Sequence, residues 1–321
     1  MDPVRDLGSI ANLVAAAFAD EIDARGQAAL REMRWMARLS PLVWWLAQAD
    51  PSFQDTFNGF VWEEPSPRGT RQIIGNVSLN RAPGNRRRSI ICNVAVRDEY
   101  QGQGIGRRLM EAAIAEAQGL GVEGVILQVY QDNPRARRLY THLGFEQVSG
   151  ETDLRLESVQ PVAFLDAPTY HFRSWKPADG QAVYDLACHT IPLAQQWMRP
   201  LRSEEYRPDW PIRVAQSIAD WIAGRQVYRL VVLQEERLVA MMAVTVALRR
   251  GEHRLALLVH PNHTGQVEAV LVSRALYMLA TAPPRPVRTT VDMEAEATLR
   301  VLRDYGFTEQ RTLLTLRRDL E

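Results

Sequence analysis

The chain has 321 residues, with 38 Lys plus Arg against 38 Asp plus Glu and a formal net charge of zero. That length favours two domains over one, and the balanced charge argues against nucleic acid or an anionic surface as partner. Cys92 and Cys188 make no disulfide pattern, and the chain shows no signal peptide, lipidation motif or membrane-spanning apolar run, so a reducing, cytoplasmic setting is expected.

Leu7 to Ile22 has the apolar spacing of a helix. The stretch from Leu30 to Phe60 is rich in Met33, Trp35, Met36, Trp44 and Trp45. It reads either as a helical core face or as the wall of a pocket for an apolar or aromatic acceptor. Arg34, Arg38, Ser40 and Pro41 interrupt it too often for a membrane span. Phe60, Val61 and Trp62 form a short strand ending in Glu63 and Glu64. Arg86, Arg87 and Arg88 follow Pro83, Gly84 and Asn85 and read as an exposed basic turn.

An apolar strand then ends at Val94, Ala95 and Val96 and leads into Gln101, Gly102, Gln103, Gly104, Ile105 and Gly106. Arg107 to Leu120 reads as an amphipathic helix. Strand, glycine loop and helix start make a cradle for phosphate, because uncapped first-turn N–H groups carry partial positive charge. A nucleotide P-loop fails, since Arg107 and Arg108 stand where Lys and Ser or Thr belong. The dinucleotide fingerprint read from Gly102 fails at its third glycine, where Arg107 stands. A tight turn without a ligand is the alternative. Gly124 to Tyr130 reads as a buried strand. Asn133 is a candidate N-cap and Pro134 a first helical residue. Ala136, Leu139, Tyr140 and Leu143 share a helical face that ends at Gly144, and Phe145 opens the next strand.

Together these residues resemble the GNAT superfamily of acetyl-CoA-dependent N-acyltransferases. The loop pattern is met by Gln101, Gly104 and Gly106, the preceding strand end by Val94 and Val96, and the later motif by Asn133, Ala136, Leu139, Tyr140, Gly144 and Phe145. The match covers about sixty residues. The resemblance implies an α/β (α+β) fold with a mixed sheet and acetyl-CoA (coenzyme A) as cofactor. It implies a bulged strand whose free backbone groups, at Val94, Ala95 and Val96, pair with the pantetheine arm. Backbone N–H groups from Gln101, Gly102, Gln103, Gly104, Ile105, Gly106 and Arg107 would hold the pyrophosphate, and Asn133 would face the pantetheine or the departing sulfur. Tyr140 is the implied general acid, a phenol that stays protonated at neutral pH. Many relatives carry a glutamate base on the bulged strand, and Ser89 to Val96 has no carboxylate. Glu63 and Glu64 are the nearest candidates, Asp132 is another, and a water-mediated path is equally compatible. Relatives also begin with a strand. Either Asp2 to Arg5 is its vestige or another segment fills that edge.

Residues 170–321 repeat the order of elements. Strands are expected at Tyr170 to Trp175, Tyr228 to Gln234, Val239 to Leu248, His253 to Val259 and Val287 to Asp292. Helices are expected at Asp179 to Thr190, Pro211 to Ala223, Val267 to Ala280 and Glu294 to Tyr305. The second loop, Asn262 to Val267, has one glycine, and Glu268 and Glu294 would repel phosphate. His260 and His263 lie there as candidate ligands or bases, although loop histidines are usually neither. The expected organisation is a catalytic GNAT domain at 1–157, a linker at 158–169 and a cofactor-free GNAT-like domain at 170–321. The resemblance implies an N-acetyltransferase, monomeric as a pseudo-dimer and without a metal, acting on a small-molecule amine. A peptide N-terminus is the alternative acceptor, and a non-catalytic acyl-CoA sensor or scaffold is the alternative class.

Overall fold

The computed structural model describes residues 2–18, 30–31, 34–35, 58–65, 71–82 and 85–320. The chain forms two compact units. Unit 1 comprises Met1–Gln128, Pro134–Glu146 and Leu316–Glu321, and unit 2 comprises Val129–Asn133 and Gln147–Thr315.

Unit 1 opens with α1 (Pro3–Ala17), which starts earlier than its apolar spacing suggests. The Asp2 N–H donates to the Asp6 carboxylate at 2.7 Å and the Arg5 N–H to Asp2 at 3.4 Å. Asp2 to Arg5 is therefore the capped start of a helix and not a vestigial strand. Ile10, Ala11, Leu13 and Val14 of α1 pack with Ile73 and Ala95. Strand β1 (Gly59–Pro65) pairs antiparallel with β2 (Arg71–Ala82), and β2 antiparallel with β3 (Asn85–Val96). β3 then pairs parallel with β4 (Gly124–Tyr130). Helix α2 (Ile105–Gly119) buries Ile105, Leu109, Met110, Ala113, Ile114 and Ala117. It presses close on β2: a Cβ added at Gly75 would stand 2.9 Å from Leu109 Cδ1. Helix α3 (Pro134–His142) follows and ends at Gly144, φ 78°.

One expectation for this unit changes. Arg86 to Arg88 lie inside β3, not in a turn, and Arg87 pairs with Glu123 at 2.7 Å. Of the aromatic stretch, Leu30 is buried and Trp35 exposed. Met33, Met36, Trp44 and Trp45 lie outside the described residues, as do Pro83 and Gly84.

In unit 2, β5 (Glu146–Leu156) pairs antiparallel with β10 (Val287–Asp292), Leu154 opposite Thr289. A strand belongs with its ladder partner, so Gln147 to Leu156 fall in unit 2 and the boundary read at 157 lies elsewhere. Strands β6 (His171–Ser174), β7 (Arg225–Gln234), β8 (Arg237–Ala247) and β9 (His253–Val259) form an antiparallel meander, and β9 runs parallel to β10. Helices α4 (Gly180–Thr190), α5 (Leu193–Met198), α6 (Ser203–Tyr206) and α7 (Trp210–Ile222) lie between β6 and β7 in sequence. Helices α8 (Glu268–Leu279) and α9 (Glu296–Asp304) complete the unit, and Leu271, Leu276, Leu299 and Leu302 bury into its core beside Met242 and Leu255. A last strand, β11 (Thr308–Asp319), has no counterpart in the sequence reading, because its run of Thr, Arg, Glu and Gln hides the alternation. Residues 159–167 carry no helix or strand.

Candidate active site

The bulge lies on β3. Ser78 faces Cys92 and Asn76 faces Ala95, so Asn93 and Val94 together stand opposite Val77. Asn93 takes φ 52°, a left-handed conformation that costs most side chains about 1 kcal/mol or more. Polar side chains hold it there. The buried Asn76 donates its side-chain amide to the Asn93 carbonyl at 2.9 Å, and Asn93 donates its own to Ser78 Oγ at 3.3 Å. The β3–β4 ladder runs from Arg88–Gly124 to Ile90–Ile126 and stops. Beyond Ile90, β3 has no ladder partner on the β4 side among the described residues, which leaves backbone groups near Val94 open to an added strand. Ala95 turns into the core, while Val94 and Val96 stay half-buried.

The glycine loop leaves the end of that strand. Gln101 donates its side-chain amide to the Val96 carbonyl at 3.1 Å and to Asp98 at 2.7 Å, and Arg135 of α3 holds the Gln101 side-chain oxygen. Gly102 and Gly104 adopt φ 84° and 81°. A Cβ at Gly104 would meet nothing within 4 Å, so backbone conformation, not crowding, calls for glycine there. Gly104 is the N-cap of α2, no side chain caps it, and the first turn has no acidic residue. Helix-start N–H groups with no side-chain cap among the described residues, in a left-handed glycine loop, favour an anion. Arg107 spends its charge on Glu111 at 2.8 Å, and Arg108 lies 5.7 Å from the Trp62 ring centroid.

Tyr140 is buried on α3 with its ring edge-on to Phe145, centroids 6.0 Å apart. Burial pushes its phenol up to about 12. Burial likewise pushes the Cys92 thiol up to about 11, which keeps it from acting as a nucleophile near neutral pH. Asn133, half-buried, precedes α3, and its N–H donates to the Tyr130 carbonyl at 3.1 Å. Asn133 and the exposed Asp132 fall in unit 2. Glu63 is engaged by Arg71 and lies 4.0 Å from Arg5, in a network that includes the buried Asp6. Opposite Ile73, it sits past Gly75, the partner of Val96, and so beyond the strand end and away from the bulge. Glu64 is its neighbour on β1, opposite Gln72. Sequence reasoning passed over Asn76, Ser78 and Arg135. Polar residues inside an otherwise apolar strand were the available signal for the first two.

The second loop is built differently. Both oxygens of Glu268 accept from the Gly265 N–H at 2.9 Å, and one also accepts from Val267 N–H at 3.2 Å. Glu268 is fully buried. A carboxylate of the chain itself thus occupies the N–H cradle at the start of α8. His260 stands 5.8 Å from His189 and 6.1 Å from His263, ring to ring. Burial first, then the two neighbouring histidines, lowers its pKa. Among the described residues no group of His, Cys, Asp and Glu is arranged to hold a metal ion, and no described helix is long and apolar enough to cross a membrane.

Comparison with known proteins fits this geometry. Residues 23–145 match the acetyltransferase (GNAT) family. A mycothiol acetyltransferase of Propionibacterium freudenreichii is 32% identical over 132 residues, 40% of this chain and 34% of that protein. The [ribosomal protein bS18]-alanine N-acetyltransferase of Escherichia coli is 42% identical over 57 residues, 18% of this chain and 38% of that protein. The matched segments thus span little more than a third of these relatives' own length. Among solved structures, a GCN5-related N-acetyltransferase from Sphaerobacter thermophilus is similar over 99% of this chain and 94% of its own, with TM-score 0.63 and 18% identity. A tandem GNAT protein from the clavulanic acid biosynthesis pathway covers 77% of this chain and 79% of its own, with TM-score 0.50 and 17% identity. At those identities the likeness is one of fold: two GNAT-type halves in one chain with a mixed sheet.

Proposed function

We propose that the chain is an acetyl-CoA-dependent N-acetyltransferase whose unit 1 binds the cofactor and whose acceptor is the primary amine of a small molecule. The observation that carries this reading is the pairing of an unladdered β3 edge past Ile90 with an uncapped, acid-free start of α2. Those features fit the two ends of the cofactor: backbone groups at Val94 and Val96 for the pantetheine arm, and N–H groups from Gln101 to Arg107 for the pyrophosphate. When bound, acetyl-CoA supplies the activated thioester.

The chain's own part is to hold and to move protons. Positioning amine and thioester together can lower a barrier by several kcal/mol. Tyr140, which burial keeps protonated, would supply the proton to the departing thiolate. Glu63 is held by Arg71, which favours a structural carboxylate over a base, so Glu64 or a water path takes the amine proton. In unit 2, Glu268 in the second cradle supports a half that does not bind coenzyme A.

A thermal-shift titration tests the cofactor assignment. Acetyl-CoA should raise the unfolding midpoint, and Gly104→Glu should abolish the rise; no rise in the parent protein overturns the reading. A screen of small amines and short peptides, read by free-thiol release, then tests the acceptor. The likeness to the ribosomal-protein-alanine enzyme makes a peptide N-terminus the second reading, and peptide turnover without small-amine turnover would select it. Cofactor binding with a flat screen would select the sensor.

A further inference from the structure

Unit 2 contains an open cavity of about 800 Å³, formed wholly by its own residues. Its floor is one face of β8 and β9. Met242, Val244 and Leu255 alternate into the core. Between them, Met241, Ala243, Ala256 and Leu258 line the cavity. Ala243 stands opposite Ala256 and Met241 opposite Leu258, so two small side chains leave the centre of an apolar floor low.

The wall over this floor is α7, set inside out. A helix covering an apolar sheet face normally lays its apolar arc on it. Here Arg213, Gln216, Ser217 and Asp220, at helical spacing, line the cavity instead. Trp210 and Trp221 stay 69% and 71% exposed, and α7 buries none of its residues. The space between is apolar on one side and charged on the other. Its size falls within the roughly 300–1,000 Å³ of ligand pockets.

The charges around it are not balanced. Asp220 is paired with Arg225 at 3.4 Å and Glu205 with Arg199 at 3.6 Å. Arg213 and Arg229 also line the cavity, and neither has a carboxylate partner among the described residues. Arg229 lies 5.7 Å from the Trp175 ring centroid, which leaves its guanidinium edge to bond elsewhere. Guanidinium groups recognise carboxylate and phosphate oxygens in pairs.

We propose that this cavity is a second ligand site that takes a small organic anion. The carboxylate or phosphate head binds Arg213 and Arg229, and the apolar body lies over Ala243 and Ala256. Titration calorimetry on the full chain, saturated with coenzyme A to occupy any loop site, tests it with octanoate, octyl phosphate and 1-octanol. At least one anion should bind one per chain, roughly tenfold or more tighter than the alcohol. Whichever anion binds tighter identifies the head group. The Arg213→Ala, Arg229→Ala double variant should weaken the anion by a similar factor and leave the alcohol unchanged. No anion binding to the parent, equal binding of alcohol and anion, or an unaffected folded double variant overturns the proposal. If the double variant does not fold, Ala256→Trp fills the floor from an exposed strand position. Anion binding that survives that substitution overturns the proposal equally.

Discussion

At the scale of single residues, environment decides what a side chain can do. Burial raises the Tyr140 pKa to about 12, so the phenol carries its proton throughout the working pH range and is a weaker donor than an exposed phenol. Tyr140→Phe keeps the ring that packs on Phe145 and removes the proton. Steady-state turnover with a confirmed acceptor should fall about 100-fold or more while the unfolding midpoint moves little. The sign of the shift also sets a pH test. A raised phenol pKa keeps the acid form beyond pH 10, so the rate profile should show no alkaline limb from Tyr140 until near 12. A limb near 9 that is absent in the Phe variant would contradict the role. At the β7–β8 turn, Glu235 and Glu236 take φ 47° and 63° between the paired Gln234 and Arg237. Such a two-residue turn favours Asn and Gly. Glu236→Gly should stabilise unit 2 by about 0.5–1 kcal/mol, measured by denaturant unfolding.

At the scale of elements, α2 and α8 begin in corresponding places with opposite solutions. The start of α2 has left-handed glycines and no acidic first-turn residue, whereas α8 turns Glu268 back onto its own cradle. Removing that carboxylate strands buried N–H groups. Glu268→Ala should therefore destabilise unit 2 by about 1–3 kcal/mol in chemical denaturation, without creating coenzyme A affinity there. Cofactor binding by that variant at the second loop would show that the carboxylate alone blocks it. α7 is the other element that departs from pattern. Its exposed tryptophans bury nothing against the unit, so its sequence amphipathicity does not say which arc faces inward.

At the scale of the whole chain, sequence order and spatial grouping part company near the ends of the halves. Leu316 to Glu321 belong with unit 1. There the Leu320 N–H donates to the Glu123 carbonyl at 2.9 Å, and Arg318 donates to the Leu143 carbonyl at 2.7 Å. A chain ending at Thr315 should lose at least about 2 kcal/mol of unit 1 stability, from the burial of Leu316 and these bonds. Calorimetry would read this as a lowered transition; an unchanged one would show that these residues contribute little.

The sequence by itself was enough for features whose causes are local. The α2 and α3 helices, the glycine loop, the helix stop at Gly144 and most strands of the second half follow from periodicity, caps and turn residues within a few positions of each other. The motif from Gln101 to Phe145 was legible for the same reason. Tertiary structure alone decided what depends on distant partners. Asn93 can sit in the bulge because Asn76 and Ser78 of another strand hold it. Glu63 is tied up because Arg71 and Arg5 come to it. β5 joins unit 2 because its ladder partner is β10, more than a hundred residues away. Hydrogen-bond and charge partners at long separation leave no period in the sequence, so their choice appears only when the chain has folded.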